Sequence, residues 1–587
     1  MLLTVLAATV IFLLQGRNIL LHRADQGEQT RSALVTQSAA QSLALAEALL
    51  ENENSQATVV VAEAAQLNMA DELAASRNQV ATAEADLATA QATLAAQKLA
   101  EEAGPRITIF APEDGARVPP KQPFDILVTV IDPHGVAAVE LNINETTVER
   151  YAPQDQAVFT FHRAWTPGQK QNVAIRVTAV NGLGRAGAPQ RITVTTTDQP
   201  DANALVRARV EAAVQEIRSL GPTRPITPTL LSRAEFAQRL TEDFEEDLDK
   251  EELADTTLAL YALNFVPRDF DLYNTYLNLY SAGVTGFYDS ETNEFVVISE
   301  DDQLSIAEQT THAHEFMHAL QDQHFSLDEL GNEGLDSEAD AALRALAEGE
   351  ARFVENRYIN DYLTPTELRE LYRESAESSA DVPEDVPQFL LDDLLFPYTA
   401  GLEFVTGLYS QGGFGAINAA WADPPRSTEQ ILHPELYLAG DAPQLVSLSP
   451  LTATLGAGWR RAENEILGEF YLREYLAQAL TQSVVNPAAT GWGGDRLAVY
   501  HNRRTDELVM VLRLAWDTPT DSQQFAAAYA QYAARLYNSP GQRQENDALC
   551  WLGEDVTCLS IQSQGDILIV RAPGLESAEK IIAVNGF

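Results

Sequence analysis

The sequence predicts a multidomain α+β protein, and three changes of pattern along the chain predict it. Residues 30–103 hold neither Pro nor Gly and are rich in Ala, Gln, Glu and Leu, a strongly helical composition. At Gly104-Pro105 the helical pattern stops, and apolar residues begin to alternate with polar ones. Beyond residue 200 long helical segments dominate, and from 441 onward strand and helix patterns alternate. A chain of 587 residues exceeds what one hydrophobic core can organise and implies roughly three to five domains.

The first segment is apolar. Residues 2–14 carry no charge, and Ile19-Leu20-Leu21 follow a short polar break. Residues 1–24 are expected to form an uncleaved membrane anchor, because no small-residue cleavage site stands out after the apolar run. A buried N-terminal helix is the alternative. Arg17 and Arg23 lie on the C-terminal side, against the usual charge bias. The folded regions beyond weigh more, and they place the bulk of the chain outside the cytoplasm. Residues 25–103 read as a helical or coiled-coil stalk, with Leu73, Val80, Leu87 and Leu94 one heptad apart.

Residues 104–198 read as a β-sandwich. Val139, Leu141 and Ile143 alternate with polar residues, as do Val173, Ile175 and Val177. Further runs at 107–110, 124–132, 156–161 and 190–196 complete the set. Asp114-Gly115, Asp132-Pro133-His134-Gly135, Pro167-Gly168 and Asn181-Gly182 read as the turns between strands. The segment resembles the bacterial immunoglobulin-like domains of surface proteins, which space or bind. His134 and His162 are single and read as surface residues.

Composition excludes some functions. Lys+Arg 39 against Asp+Glu 85 gives a net charge of −46, which repels nucleic acid and anionic lipid and favours solubility. The two cysteines, Cys550 and Cys558, are too few for a disulfide scaffold or a zinc knuckle. They form one disulfide in an oxidising compartment, or two buried thiols.

The chemistry concentrates in residues 200–440. A hairpin is expected from Gly286-Phe287-Tyr288-Asp289 and Glu294–Ile298, followed by a helix near 303–322 that carries His314-Glu315-Phe316-Met317-His318. Residues four apart on a helix share a face, so His314 and His318 can offer two imidazole nitrogens to one ion. Two imidazoles and a carboxylate suit zinc and leave a position open for water. Glu315, beside that position, is placed to act as general base. Ile306, Ala313, Phe316, Met317 and Leu320 form the core stripe of this helix. His312 is out of phase with the pair.

A third donor must come from downstream. Glu338 lies twenty residues past His318, as in thermolysin-like enzymes, but Ala342 stands where those enzymes carry an aspartate. Ala347-Glu348-Gly349-Glu350-Ala351 resembles the Glu-Gly-x-Ala signature of collagenase-like and related gluzincins. That resemblance makes Glu348 the metal ligand. Glu350 stays open, because it falls in helical phase with Leu343, Leu346 and Phe353. Asp336 or Asp340 is expected to orient a ligand histidine.

The resemblance extends to uncharacterised bacterial gluzincin-type zinc metallopeptidases over roughly residues 226–540. It rests on residues 314–325, Gly286–Asp289, Phe396-Pro397-Tyr398, Gly412-Gly413-Phe414 and the run from Pro424 to Pro434. It implies a mainly helical zincin-like domain at 200–440 and a small α+β domain at 441–587. Such enzymes stabilise an oxyanion with a donor from a later segment. His433 is the expected catalytic donor, with Tyr437 and Tyr398 as alternatives.

The expected function is therefore a membrane-tethered zinc endopeptidase acting on protein or peptide substrates at the cell surface. The competing readings are a surface binding or structural protein that keeps a zincin fold without turnover, and a zinc hydrolase of another substrate class.

Overall fold

The computed structural model describes residues 104–586, except 155, 169–171, 199, 201, 248–249, 301–303, 332–334, 378–385 and 563–564. The expected anchor and stalk lie outside the described residues. Among the described residues no helix is long and apolar enough to cross a membrane. The chain divides into two compact units near Ala204.

The first unit is the β-rich module. Its central element is one long strand, Phe124–Ile143, whose two halves serve different partners. Residues 124–131 pair antiparallel with Arg106–Ala111 and with Gln156–Trp165. Residues 136–143 pair with Thr146–Tyr151 and with Asn172–Asn181, which continues to Gln190–Thr196. Asp132-Pro133-His134-Gly135 is thus an irregularity within a strand, where the register shifts between Ile131 and Val136, and the turn read from the sequence is corrected. Asp132 is buried there and accepts hydrogen bonds from the His134 amide (2.8 Å) and from Asn181 Nδ2 (3.1 Å). Those donors offset the cost of burying its carboxylate in place of a solvated turn. The strand Thr146–Tyr151 escaped the sequence reading. Its hairpin turns through Asn144 and Glu145, both left-handed, and Glu is an uncommon residue for that conformation.

The second unit spans Leu205–Phe587. Its first part is mainly helical around a three-stranded sheet. Glu294–Ile298 is the central strand, parallel to Pro228–Leu231 and antiparallel to Gly286–Asp289. Phe295 and Val297 from this sheet pack with Ala313, Phe316, Met317 and Leu320 of the helix Ile306–Phe325. The expected core stripe forms, although Ile306 is only half-buried.

The last part is a seven-stranded antiparallel sheet, in the order 459–465, 492–502, 508–516, 567–572, 556–561, 549–552, 542–543. Both faces are covered. Met510, Leu512 and Leu514 pack on one side with Phe525, Tyr529 and Tyr532 of the helix Pro519–Leu536. Val509 and Val511 pack on the other with Ile581 and Ile582. Burial on both faces explains the unbroken apolar run at 508–512. The strand Trp459–Glu465 was missed, because its charged sequence hides the alternation. Cys550 and Cys558 are register partners on adjacent strands and form a disulfide, which settles the choice between bridge and thiols.

Candidate metal centre

Two helices build the site. The helix Ile306–Phe325 starts at a capping box, in which Ser305 Oγ accepts from the Glu308 amide and the Glu308 carboxylate accepts from the Ser305 amide. The helix Ser337–Tyr362 starts at Asp336, whose side chain accepts from the Ala339 amide. Asp336 is therefore a cap, and Asp340 pairs with Arg344. Neither orients a histidine, contrary to the sequence expectation.

His314, His318 and Glu348 converge. His314 Nε2 lies 3.1 Å from His318 Nε2 and 3.1 Å from Glu348 Oε2, and His318 Nε2 lies 3.2 Å from the same carboxylate oxygen. All three residues are buried. Donors on a tetrahedral centre with bonds of about 2.0–2.1 Å stand about 3.3 Å apart, so this spacing fits one small ion.

The far side of each ring also faces an oxygen. His318 Nδ1 faces Gln321 Oε1 at 2.8 Å, and His314 Nδ1 faces Glu355 Oε2 at 3.3 Å. An N–H on His318 Nδ1 toward Gln321 leaves the His318 Nε2 lone pair directed at the shared point, whereas His314 Nδ1 makes no hydrogen bond and has Glu355 only as a charged neighbour. Arg352 holds Glu355 through two contacts of 2.7 Å. Gln321 donates to the Ala347 carbonyl (2.9 Å) and to Glu350 Oε2 (3.0 Å).

Glu350 has a different task. It is wholly buried and receives Arg218 Nε at 2.5 Å and Trp421 Nε1 at 2.7 Å. Arg218 is also buried and lies over the Phe414 ring at 4.6 Å. The helical phase that favoured Glu350 was read correctly as core-facing, but it leads to Arg218 and away from the histidines. Glu338 is occupied too, accepting from the Thr428 amide (2.8 Å) and hydroxyl (3.0 Å).

Glu315 is buried, and its Oε2 has no hydrogen-bond partner. Burial, with Glu348 and Glu355 adding to it, pushes its carboxyl up to about 7 against the pull of His314 and His318. Burial works against the charge of His314, but Glu348 and Glu355 outweigh it and raise this imidazole to about 10. Burial also opposes ionisation of Glu348, yet His318 and His314 hold it below the ordinary carboxylate range. Gly286 brings the strand Gly286–Asp289 against this region. A Cβ there would lie 2.7 Å from Thr311 Cγ2 and 3.3 Å from Glu315 Cγ.

Of the three candidate oxyanion donors, the structure brings Tyr398 to the histidines, with its ring 6.0 Å from that of His314. The structure places His433 elsewhere, against Glu469 (3.0 Å) and Arg473 (3.4 Å). Tyr437 donates to the Asp423 carbonyl (2.9 Å). His312 is held by Glu211 (3.0 Å), and His324 by the Gly221 carbonyl (2.7 Å). The sequence reading missed Gln321 and Glu355. Both were findable by spacing, since Gln321 is one turn past His318 and Glu355 two turns past Glu348.

Comparison with known proteins identifies the flanks of this site. Residues 105–208 match the bacterial Ig domain family, so the first module is a bacterial immunoglobulin-like domain. Residues 454–582 match a domain of unknown function, DUF8575. Both matches lie outside the two helices of the site. No curated protein matches the chain. Among solved structures, the fibronectin(III)-like modules of Clostridium thermocellum CbhA share 16% identity, with 16% of this chain and 47% of that chain covered and a TM-score of 0.14. The chain thus spans about half of that structure. The PKD domain of an M14-like peptidase from a Thermoplasmatales archaeon shares 16% identity, with 16% and 93% covered and a TM-score of 0.14. A family 76 glycoside hydrolase from a Bacteroides thetaiotaomicron strain shares 10% identity, with 56% and 80% covered and a TM-score of 0.13.

Proposed function

We propose that the chain is a zinc-dependent peptidase of gluzincin type, with His314, His318 and Glu348 as ligands and Glu315 as general base. The observation that carries this reading is the convergence of two buried imidazole nitrogens and one buried carboxylate oxygen, with the His318 ring hydrogen-bonded from behind. When bound there, zinc supplies Lewis acidity toward a water and a carbonyl oxygen. Glu315, with a buried and unpartnered oxygen beside the cluster, takes a proton from the attacking water and returns it to the leaving amine. Gln321 holds the His318 ring in the ligating tautomer, and Glu355 stands beside His314 Nδ1 as a charged neighbour. Tyr398 is the donor to the developing oxyanion. The substrate class is protein or peptide. The setting is extracytoplasmic, with residues 1–24 as the membrane anchor.

The test uses the purified full chain, its metal content and a mixture of peptides. One zinc per chain is expected, lost in His314→Ala. Glu315→Gln is expected to keep the zinc and lose hydrolysis by about 10³-fold or more. Absence of stoichiometric zinc, or full activity in Glu315→Gln, overturns the reading. Zinc with no hydrolysis of any peptide favours the surface binding protein instead.

A further inference from the structure

A second group of acids lies apart from the histidine pair. Glu429, Asp441 and Asp517 each bring a carboxylate oxygen to within 4.8 Å of the other two. They come from three segments. Glu429 lies on the short helix Thr428–Leu432. Asp441 follows Gly440, whose left-handed conformation (φ 72°) ends the helix Pro434–Ala439. Asp517 follows the strand Leu508–Trp516.

The segments are fixed by contacts that leave the three carboxylates for something else. Gln430 donates through Nε2 to the Asp441 carbonyl and accepts from the Arg426 amide at 2.6 Å. The Asp441 amide donates to the Leu436 carbonyl at 3.0 Å, and the Asp517 amide to the Gly491 carbonyl at 3.0 Å. Glu429 is 2% exposed, and its Oε1 has no hydrogen-bond partner. Among the described residues none of the three carboxylates has an ion-pair partner. The nearby cations are already engaged, since Arg473 (2.5 Å) and His433 (3.0 Å) both hold the buried Glu469. A buried carboxylate facing Glu469, Asp517 and Asp441, with Arg473 as its cationic neighbour, is costly unless a further counter-charge joins it.

We propose that Glu429, Asp441 and Asp517 bind one calcium ion, which ties the 428–441 segment to the end of the strand Leu508–Trp516. The donor set is all oxygen and carries no imidazole, which selects a hard cation over zinc. Calcium accepts carboxylates from separate segments in a flexible geometry, whereas magnesium demands a near-ideal octahedron and gives up its waters reluctantly. The site is independent of the histidine centre, so it stands or falls separately from the peptidase reading.

Terbium serves as the luminescent probe for calcium in the full chain, because Trp516 adjoins Asp517 and can sensitise it. Sensitised emission displaced by calcium is expected in the wild type. The double variant Asp441→Asn/Asp517→Asn is expected to lose roughly tenfold or more of that emission, with zinc content unchanged. Glu429→Gln is expected to lose it as well, and circular dichroism establishes that each variant is folded. Equal calcium-displaceable emission in the folded variants would mark diffuse binding to an acidic surface and overturn the site. Emission that calcium does not displace, or no emission from the wild type, overturns it too.

Discussion

Gly349 and Gly401 are in backbone contact. A Cβ added at Gly349 would lie 2.2 Å from the Gly401 carbonyl oxygen, and one added at Gly401 would lie 2.1 Å from the Ala345 carbonyl oxygen. The helices Ser337–Tyr362 and Gln388–Ala422 therefore cross at a point that admits no side chain. This crossing fixes the rotation of the first helix and sends Glu348 and Glu350 to different partners. Gly349→Ala is expected to destabilise the fold by about 2–4 kcal/mol, because both contact atoms belong to backbone and cannot swing away. Gly407, on the same second helix, meets only Pro434 at 3.8 Å. Gly407→Ala should be neutral or stabilising by about 0.5–1 kcal/mol. Denaturant unfolding of the two variants checks the contrast.

Glu348 and Glu350 should separate in their effects. Glu348→Gln removes the carboxylate that meets both histidines, and it is expected to abolish stoichiometric zinc while leaving a folded protein. Glu350→Gln leaves the Arg218 guanidinium buried without its counter-charge, at a cost of about 3–5 kcal/mol. Measuring metal content and unfolding midpoint on both variants distinguishes them. If Glu350→Gln loses zinc at full stability, the assignments are reversed.

Gln321 links the two networks, since it meets His318 on one side and Glu350 on the other. Gln321→Ala frees the His318 ring to rotate and change tautomer. Zinc affinity is expected to fall about 10–100-fold, which competition with a chelator would read. Unchanged affinity would mean that the ring is held by packing alone.

Asp495 gives a dependence on pH away from the metal centre. It accepts from the Leu467 and Gly468 amides and from Trp492 Nε1, yet burial outweighs these donors and raises its carboxyl from 3.8 to about 6. The folded state therefore favours the protonated form. The stability this contributes is fully present below pH 4 and is lost as pH rises through 6. A rise of that size corresponds to about 3 kcal/mol. Asp495→Asn should flatten the stability profile between pH 4 and 6 relative to wild type. An identical slope in the two proteins would assign the dependence to other groups.

Much of the fold was legible where the signal is local. The alternation at 173–179 is the buried-and-exposed pattern of a sandwich strand, and the Glu294–Ile298 hairpin lies where its turn residues put it. The stripe at Phe525, Tyr529 and Tyr532 is core, as its helical spacing required. Elements without a local signal were lost. Trp459–Glu465 owes its strand to pairing with Trp492–Asn502, and nothing in its own charged sequence announces that.

The same division runs through the candidate site. That His314 and His318 share one face is legible locally, because four residues make about one helical turn, and Glu315 lies beside them for the same reason. Tertiary packing selects which carboxylate meets the pair and which aromatic ring lies beside it. Glu348, Glu350, Tyr398 and His433 all stand on other elements, and their directions depend on how those elements rotate and cross. That rotation is set by packing between residues distant in sequence, with the Gly349–Gly401 contact at its centre, and no local spacing encodes it.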